Sequence, residues 1–194
     1  MSGGLHFLCI DTECTGLSSQ HHEITQISVI RCADRVQFSR YIKAEFPEKA
    51  SPEALKVTGR TYKDLLIGDS KEKTINDFET FINKDGATPE ARVMIAHNAS
   101  FDKRFLHALW DKVNKTFPAV CWLDSKTLAK RLANKLGIEK PKLTLQASME
   151  TAGLKMNKEY HNAIADAQAV YMLFDHYKKQ GIDFLEHIKR HPHE

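Results

Sequence analysis

Strand-like runs crowd the N-terminal part of the chain and then give way to alternation with helical segments, an order that few architectures accommodate. Leu5 to Ile10 is an apolar run, and Ile24 to Arg31 and Val36 to Ile42 follow as two further strands joined by the polar turn Ala33-Asp34-Arg35. These three predict an antiparallel meander. Ser51-Pro52-Glu53 then reads as a helix start, with Ser51 as cap, Pro52 at the first helical position and Gly59 closing the segment. Helical spacing over Thr74 to Asn83, a strand at Val93 to Ala96, a helix from Ser100 to Lys112 and a short strand at Ala119 to Leu123 come next. Helices over Ser125 to Leu136, Thr144 to Ala152 and Ala163 to Lys178 complete the pattern. The order predicts an α/β fold with a central five-stranded mixed sheet flanked by helices.

Size and charge narrow the function classes. A chain of 194 residues with 42% hydrophobic content can bury a full core within one domain, expected to span residues 1–194. A net charge of +3 and a pI near 8.6 are too mild for a protein that coats nucleic acid generally. Phosphate binding must then come from local features or from bound metal. Cys9, Cys14, Cys32 and Cys121 form no CxxC pair and meet no histidine at zinc-finger spacing, which argues against structural zinc and against a disulfide framework. Reduced thiols fit a cytoplasmic location. The early apolar run is broken by Asp11 and Glu13, so neither a signal peptide nor a membrane span is expected.

The chemistry-bearing residues fall in three separated segments. Asp11 and Glu13 stand two apart at the end of the first strand, a spacing that projects both side chains to one face. Two carboxylates side by side repel unless a cation lies between them, and hard oxygen ligands favour magnesium or manganese over zinc. Asp102 follows a strand and opens a helix, the place where α/β sheets present functional groups. Asp166 has a similar place if Asn162 caps the last helix, and a helix N-terminus favours negative charge. His161 precedes that cap and can approach a metal-bound water without being a ligand. Each signal alone has a plain alternative: a solvated strand edge, a first-turn aspartate, a surface histidine.

Taken together, Asp11-Thr12-Glu13-Cys14-Thr15-Gly16-Leu17, His97-Asn98-Ala99-Ser100-Phe101-Asp102 and His161-Asn162-Ala163-Ile164-Ala165-Asp166 resemble the three motifs of the DEDDh 3'→5' exonucleases, the family of the epsilon proofreading subunit, exonuclease X and RNase T. The resemblance continues through Ser51 to Gly59 and Asp124 to Ala129. It implies an RNase H-like fold, metal ligands at Asp11, Glu13, Asp102 and Asp166, His161 as general base, and two divalent cations, Mg2+ or Mn2+, about 4 Å apart. An imidazole near its ordinary pKa of about 6.5 suits that base role. It further implies release of nucleoside 5'-monophosphates from a free 3' end. Thr12, Cys14, Thr15, Gly16 and Leu17 would lie against the terminal nucleotide, with Leu17 as base wedge, and His97, Asn98 and Phe101 are further substrate-contact candidates. DNA is favoured over RNA as substrate, with RNA 3'-end trimming as the alternative and a non-catalytic nucleic-acid-binding module as the reading from another class. A replication or repair partner fits the resemblance, and the oligomeric state is left open. One departure is Gln26, where many members carry glutamate.

Other signals have plainer readings. The six cations among Lys126, Lys130, Arg131, Lys135, Lys140 and Lys142 read as a solvated helix face, and Lys103 and Arg104 beside Asp102 are better placed to meet phosphate. Trp110 and Trp122 read as core. Gln180 to Leu185 reads as a turn with Ile182, Phe184 and Leu185 packed on the domain, and His187, His191 and His193 as a frayed terminus.

Overall fold

The structure is a computed structural model and describes residues 4–155 and 162–191. Six strands form one sheet in the order β3-β2-β1-β4-β5-β6. They span β1 His6–Cys14, β2 Ile24–Arg31, β3 Gln37–Tyr41, β4 Arg92–Ala96, β5 Cys121–Asp124 and β6 Lys189–Arg190. β1, β4 and β5 run parallel, and β2, β3 and β6 each run antiparallel to a neighbour. The fold is α/β and RNase H-like, as expected, but the sheet has six strands and not five. β6 escapes a reading of the sequence because it is two exposed basic residues at a sheet edge, with no alternation to mark it.

Six helices flank the sheet: α1 Pro52–Thr58, α2 Lys71–Asn83, α3 Ala99–Asp111, α4 Ser125–Lys135, α5 Leu145–Thr151 and α6 Ala163–Lys179. The start signals read in the sequence act as such. The Ser51 side chain accepts from Ala54 N–H, Pro52 opens α1, and Gly59 ends it with φ at 66°. None of these helices is long and apolar enough to cross a membrane. The four cysteines are free thiols.

Alternation along β1 divides the core. Leu8 and Ile10 face the layer of α2 and α3, where Phe78, Phe105 and the wholly buried Trp110 pack. Cys9 faces the opposite layer, with Val170, Leu173 and Phe174 of α6. Trp110 donates its indole N–H to Glu79 at 2.9 Å, and Trp122 is buried, so both tryptophans belong to the core. Near the C-terminus Ile182 is buried and Phe184 packs on Phe7 and Phe174, but Leu185 points outward at 60% exposure.

The strand that carries the first motif is longer than its apolar run. β1 continues through Asp11, Thr12, Glu13 and Cys14, pairing with β2 throughout. Its pairing with β4 stops at Cys9 opposite Ile95. Residues 11–14 therefore overhang the end of β4, and the start of α3 lies in the notch this leaves. Such a place, beyond the carboxyl ends of parallel strands where the connections diverge, is where α/β sheets bind ligands.

Candidate active site

Period-two alternation decides which layer each residue of the overhang addresses. Asp11 and Glu13 share the parity of Cys9 and face α6, whose first turn brings Asp166 to them. Carboxylate oxygens of Asp11, Glu13 and Asp166 all lie within 4.8 Å of one another. Thr12, between them, faces the opposite layer. Its hydroxyl donates to Asp102 Oδ1 at 2.8 Å, holding a buried carboxylate of the first turn of α3 against the strand. The four acidic residues expected to act together thus come from both layers and meet at one strand.

The cluster is charged beyond what burial tolerates. Burial first, then the negative charges of Asp102, Asp166 and Glu13, pushes Asp11 well above the ordinary carboxylate range. Glu13 is pushed up to about 7 by burial and by Asp166 and Asp102, with Arg60 pulling the other way. Burial also pushes Asp102 up to about 7, although the Thr12 hydroxyl and nearby backbone N–H groups hold it down. Carboxylates so placed keep protons at neutral pH or take a cation. An all-oxygen donor set of this kind fits a hard divalent ion.

The start of α6 is fastened to the sheet by the residue that departs from the family pattern. Gln26 pairs directly with Glu13 across β1 and β2, so its side chain stands on the same face. Its Nε2 donates to Asn162 Oδ1 at 3.0 Å and to Ser39 Oγ at 3.3 Å, while its Oε1 accepts Ala163 N–H at 3.2 Å. Asn162 Oδ1 also accepts Ile164 N–H at 3.2 Å, the cap expected for this helix. Asp166, one turn on, inherits its position from this clamp. His161 lies outside the described residues.

Beside the cluster runs an apolar groove of about 500 Å³. Thr12, Glu13, Cys14, Gly16, Leu17 and Phe101 line it, together with Ala54, Val57 and Thr58 of α1. Leu17 is 80% exposed at its mouth, and Phe101 is braced against Phe105 with ring centroids 4.8 Å apart. Gly16 lies close under His22: a Cβ there would lie 2.3 Å from the ring and force it to shift. His22, Ala54, Val57 and Thr58 are groove residues that motif reasoning passed over. Recognition of the Ser51 to Gly59 segment was the available signal.

Other candidates are spent on structure. Thr15 Oγ1 accepts Glu23 N–H at 2.9 Å and its carbonyl accepts Ser51 N–H at 2.8 Å, clasping the loop to α1. His97 has both ring nitrogens engaged, Nδ1 with Ser125 Oγ and Nε2 with the Leu143 carbonyl, each at 2.8 Å, and burial lowers its pKa. It ties the start of α3 to that of α4 and offers no ring nitrogen to a substrate. Asn98 takes up the left-handed turn before α3 with φ at 82°, its N–H on Asp124 at 3.1 Å.

Comparison with known proteins agrees with this geometry. The chain is 26% identical over 188 residues to the DNA polymerase III subunit epsilon of Treponema pallidum, spanning 94% of this chain and 83% of that one. It is 29% identical over 188 residues to the PolC-type DNA polymerase III of Thermotoga petrophila, of which it spans 13%. Its fold superposes on the rAMP-bound nuclease domain of 3'hExo, a DEDDh family member, with a TM-score of 0.76 at 16% identity over 98% of both chains. The Escherichia coli ExoI–ssDNA complex matches 91% of this chain and 41% of that one, with a TM-score of 0.74 at 17% identity. The family model of the RNase T exonucleases matches residues 8–174. Because that match runs from β1 into α6, and so takes in every segment that brings a carboxylate to the cluster, the chain belongs to the RNase T exonuclease family.

Proposed function

We propose that this protein removes nucleotides one at a time from the 3' end of single-stranded DNA, releasing nucleoside 5'-monophosphates. The convergence of Asp11, Glu13 and Asp166 within 4.8 Å beside a groove of nucleotide size carries the reading. Both polymerase relatives are named for DNA, which favours DNA over RNA.

Asp11, Glu13 and Asp166, with Asp102 from the facing layer, would hold two divalent cations, magnesium or manganese. When bound, such a pair lowers the pKa of water and stabilises the charge that builds on the departing oxygen of an in-line displacement. The chain's own residues do the rest. Leu17, Val57 and Phe101 hold the terminal base and keep water off its faces. Thr12 keeps the Asp102 carboxylate aimed at the strand, and the Gln26 clamp does the same for Asp166 through α6. His161, by resemblance the general base, takes the proton of the attacking water on a ring nitrogen.

A 5'-labelled single strand of DNA or RNA, incubated with magnesium, manganese or chelator, tests this directly. A ladder shortening from the 3' end, dependent on metal and faster on DNA, is expected. Asp11→Ala abolishes it with the fold retained, and His161→Ala collapses turnover while manganese binding survives. Normal turnover by Asp11→Ala in magnesium overturns the reading, and faster cleavage of RNA replaces the substrate.

A further inference from the structure

The first turns of α3 carry two surfaces. Asp102 and Phe101 look toward the acidic cluster and its groove, whereas Ser100, Lys103 and Arg104 lie on the opposite side of the same helix and line a second groove of about 300 Å³. Its far wall is the unforeseen sixth strand. Lys189 pairs with Trp122 across β5 and β6, and His191 donates its N–H to the Val120 carbonyl at 2.8 Å, which fixes the C-terminal segment against the sheet edge. The sequence places Lys103 and Arg104 beside Asp102, where they can meet phosphate, and predicts a frayed terminus for the histidines. The fold gathers them around one cavity.

Positive charge is in excess in this groove. Lys103, Arg104 and Lys189 make no ion pair among the described residues. The one carboxylate in the wall, Asp124, accepts Lys126 N–H at 2.9 Å and Asn98 N–H at 3.1 Å on its Oδ1. His191 is held below the usual imidazole range by burial and then by repulsion from Lys103 and Lys189. Three converging cations against one carboxylate leave the excess of positive charge that a phosphate backbone requires.

We propose that this second groove binds backbone phosphates of the substrate strand on the 5' side of the cleaved bond, the strand crossing the start of α3 between the two grooves. This rests on the exonuclease reading. A helix is about 10–12 Å across, so at about 3.4 Å per stacked nucleotide the strand crosses in about three to four nucleotides. Dinucleotides fill the first groove alone, and longer strands reach the second.

The test compares Arg104→Glu/Lys189→Glu, and the milder Arg104→Gln/Lys189→Gln, with the unaltered protein on a dinucleotide and on a single strand of about 12 nucleotides. With the longer strand KM rises about tenfold at unchanged kcat, less so for the glutamine pair, and the dependence of affinity on log salt flattens by about one unit. Dinucleotide cleavage stays as it was. Fluorescence anisotropy of the labelled longer strand in chelator reads the same loss of binding without turnover. Equal effects on both lengths, or undiminished binding of the longer strand by the glutamate pair, overturn the proposal. Failure of the unaltered protein to cleave any oligonucleotide overturns the exonuclease reading instead, and the anisotropy titration still decides the groove.

Discussion

Replacing Glu13 by glutamine should make the metal-free protein more stable at neutral pH while destroying its use of metal. The glutamate is buried beside Asp11 and Asp166, and its pKa is raised from an ordinary 4.5 to about 7. Below pH 4.5 the folded and unfolded chains both hold this proton, and the residue costs nothing. Between that value and about 7 the unfolded chain has released the proton and the folded chain has not, so stability falls as pH rises. Above it the whole penalty is in place. At about 1.4 kcal/mol per pH unit the shift is worth about 3 kcal/mol, shared with the neighbouring carboxylates, so a gain of about 1–3 kcal/mol is expected from Glu13→Gln. For a chain of this length that is roughly 3–10 °C in Tm. Thermal denaturation in chelator at pH 8 reads the gain, and the same measurement at pH 5 should show only about a quarter of it. Saturating manganese should reverse the order, because the cation stabilises the unaltered cluster by mass action and finds an incomplete one in the variant. A variant that melts at or below the unaltered protein at pH 8 in chelator, or that gains as much at pH 5, refutes the argument.

Two other substitutions probe the supports of the site. Gln26→Leu leaves Ala163 N–H buried without its partner and frees Asn162 from the sheet, which should cost about 1–3 kcal/mol and raise the manganese concentration needed for half-maximal thermal stabilisation. Unchanged manganese titration in a less stable variant would reduce the glutamine to a packing residue. Gly16→Ala forces a methyl group into the His22 ring and should cost about 1–3 kcal/mol with a higher KM for the strand. His22→Ala in the same chain should restore most of the stability, and absence of that rescue would show the strain lies elsewhere.

The sequence could be read furthest where a local rule has a single outcome. Ser51, Pro52 and Gly59 bracket α1 as their chemistry requires, and the spacing of Asp11 and Glu13 fixes their common face whatever the rest of the chain does. The end of β1 could not be read, because the acidic pair Asp11 and Glu13 breaks its apolar pattern. Lys189 and Arg190 become a strand only through a partner distant in sequence, so no local pattern announces β6. Direction was the other blind spot. Motif membership made His97 a substrate contact, but its ring turns inward to Ser125 and Leu143. Gln26 stood out only as a departure from pattern, and its clamp on α6 depends on a residue 136 positions away.

The overhanging end of β1 also makes the acidic cluster a gauge of correct assembly. A slip of one residue in strand register turns every side chain to the opposite face. Asp11 and Glu13 would then confront the α3 layer and Thr12 would confront α6, losing the Asp102 hydrogen bond and the acidic cluster together. The same would follow if either helical layer docked a step out of place, since Asp102 and Asp166 come from opposite sides. A misregistered chain thus has no means of gathering these carboxylates, and only a molecule whose sheet is correctly aligned can assemble the cluster.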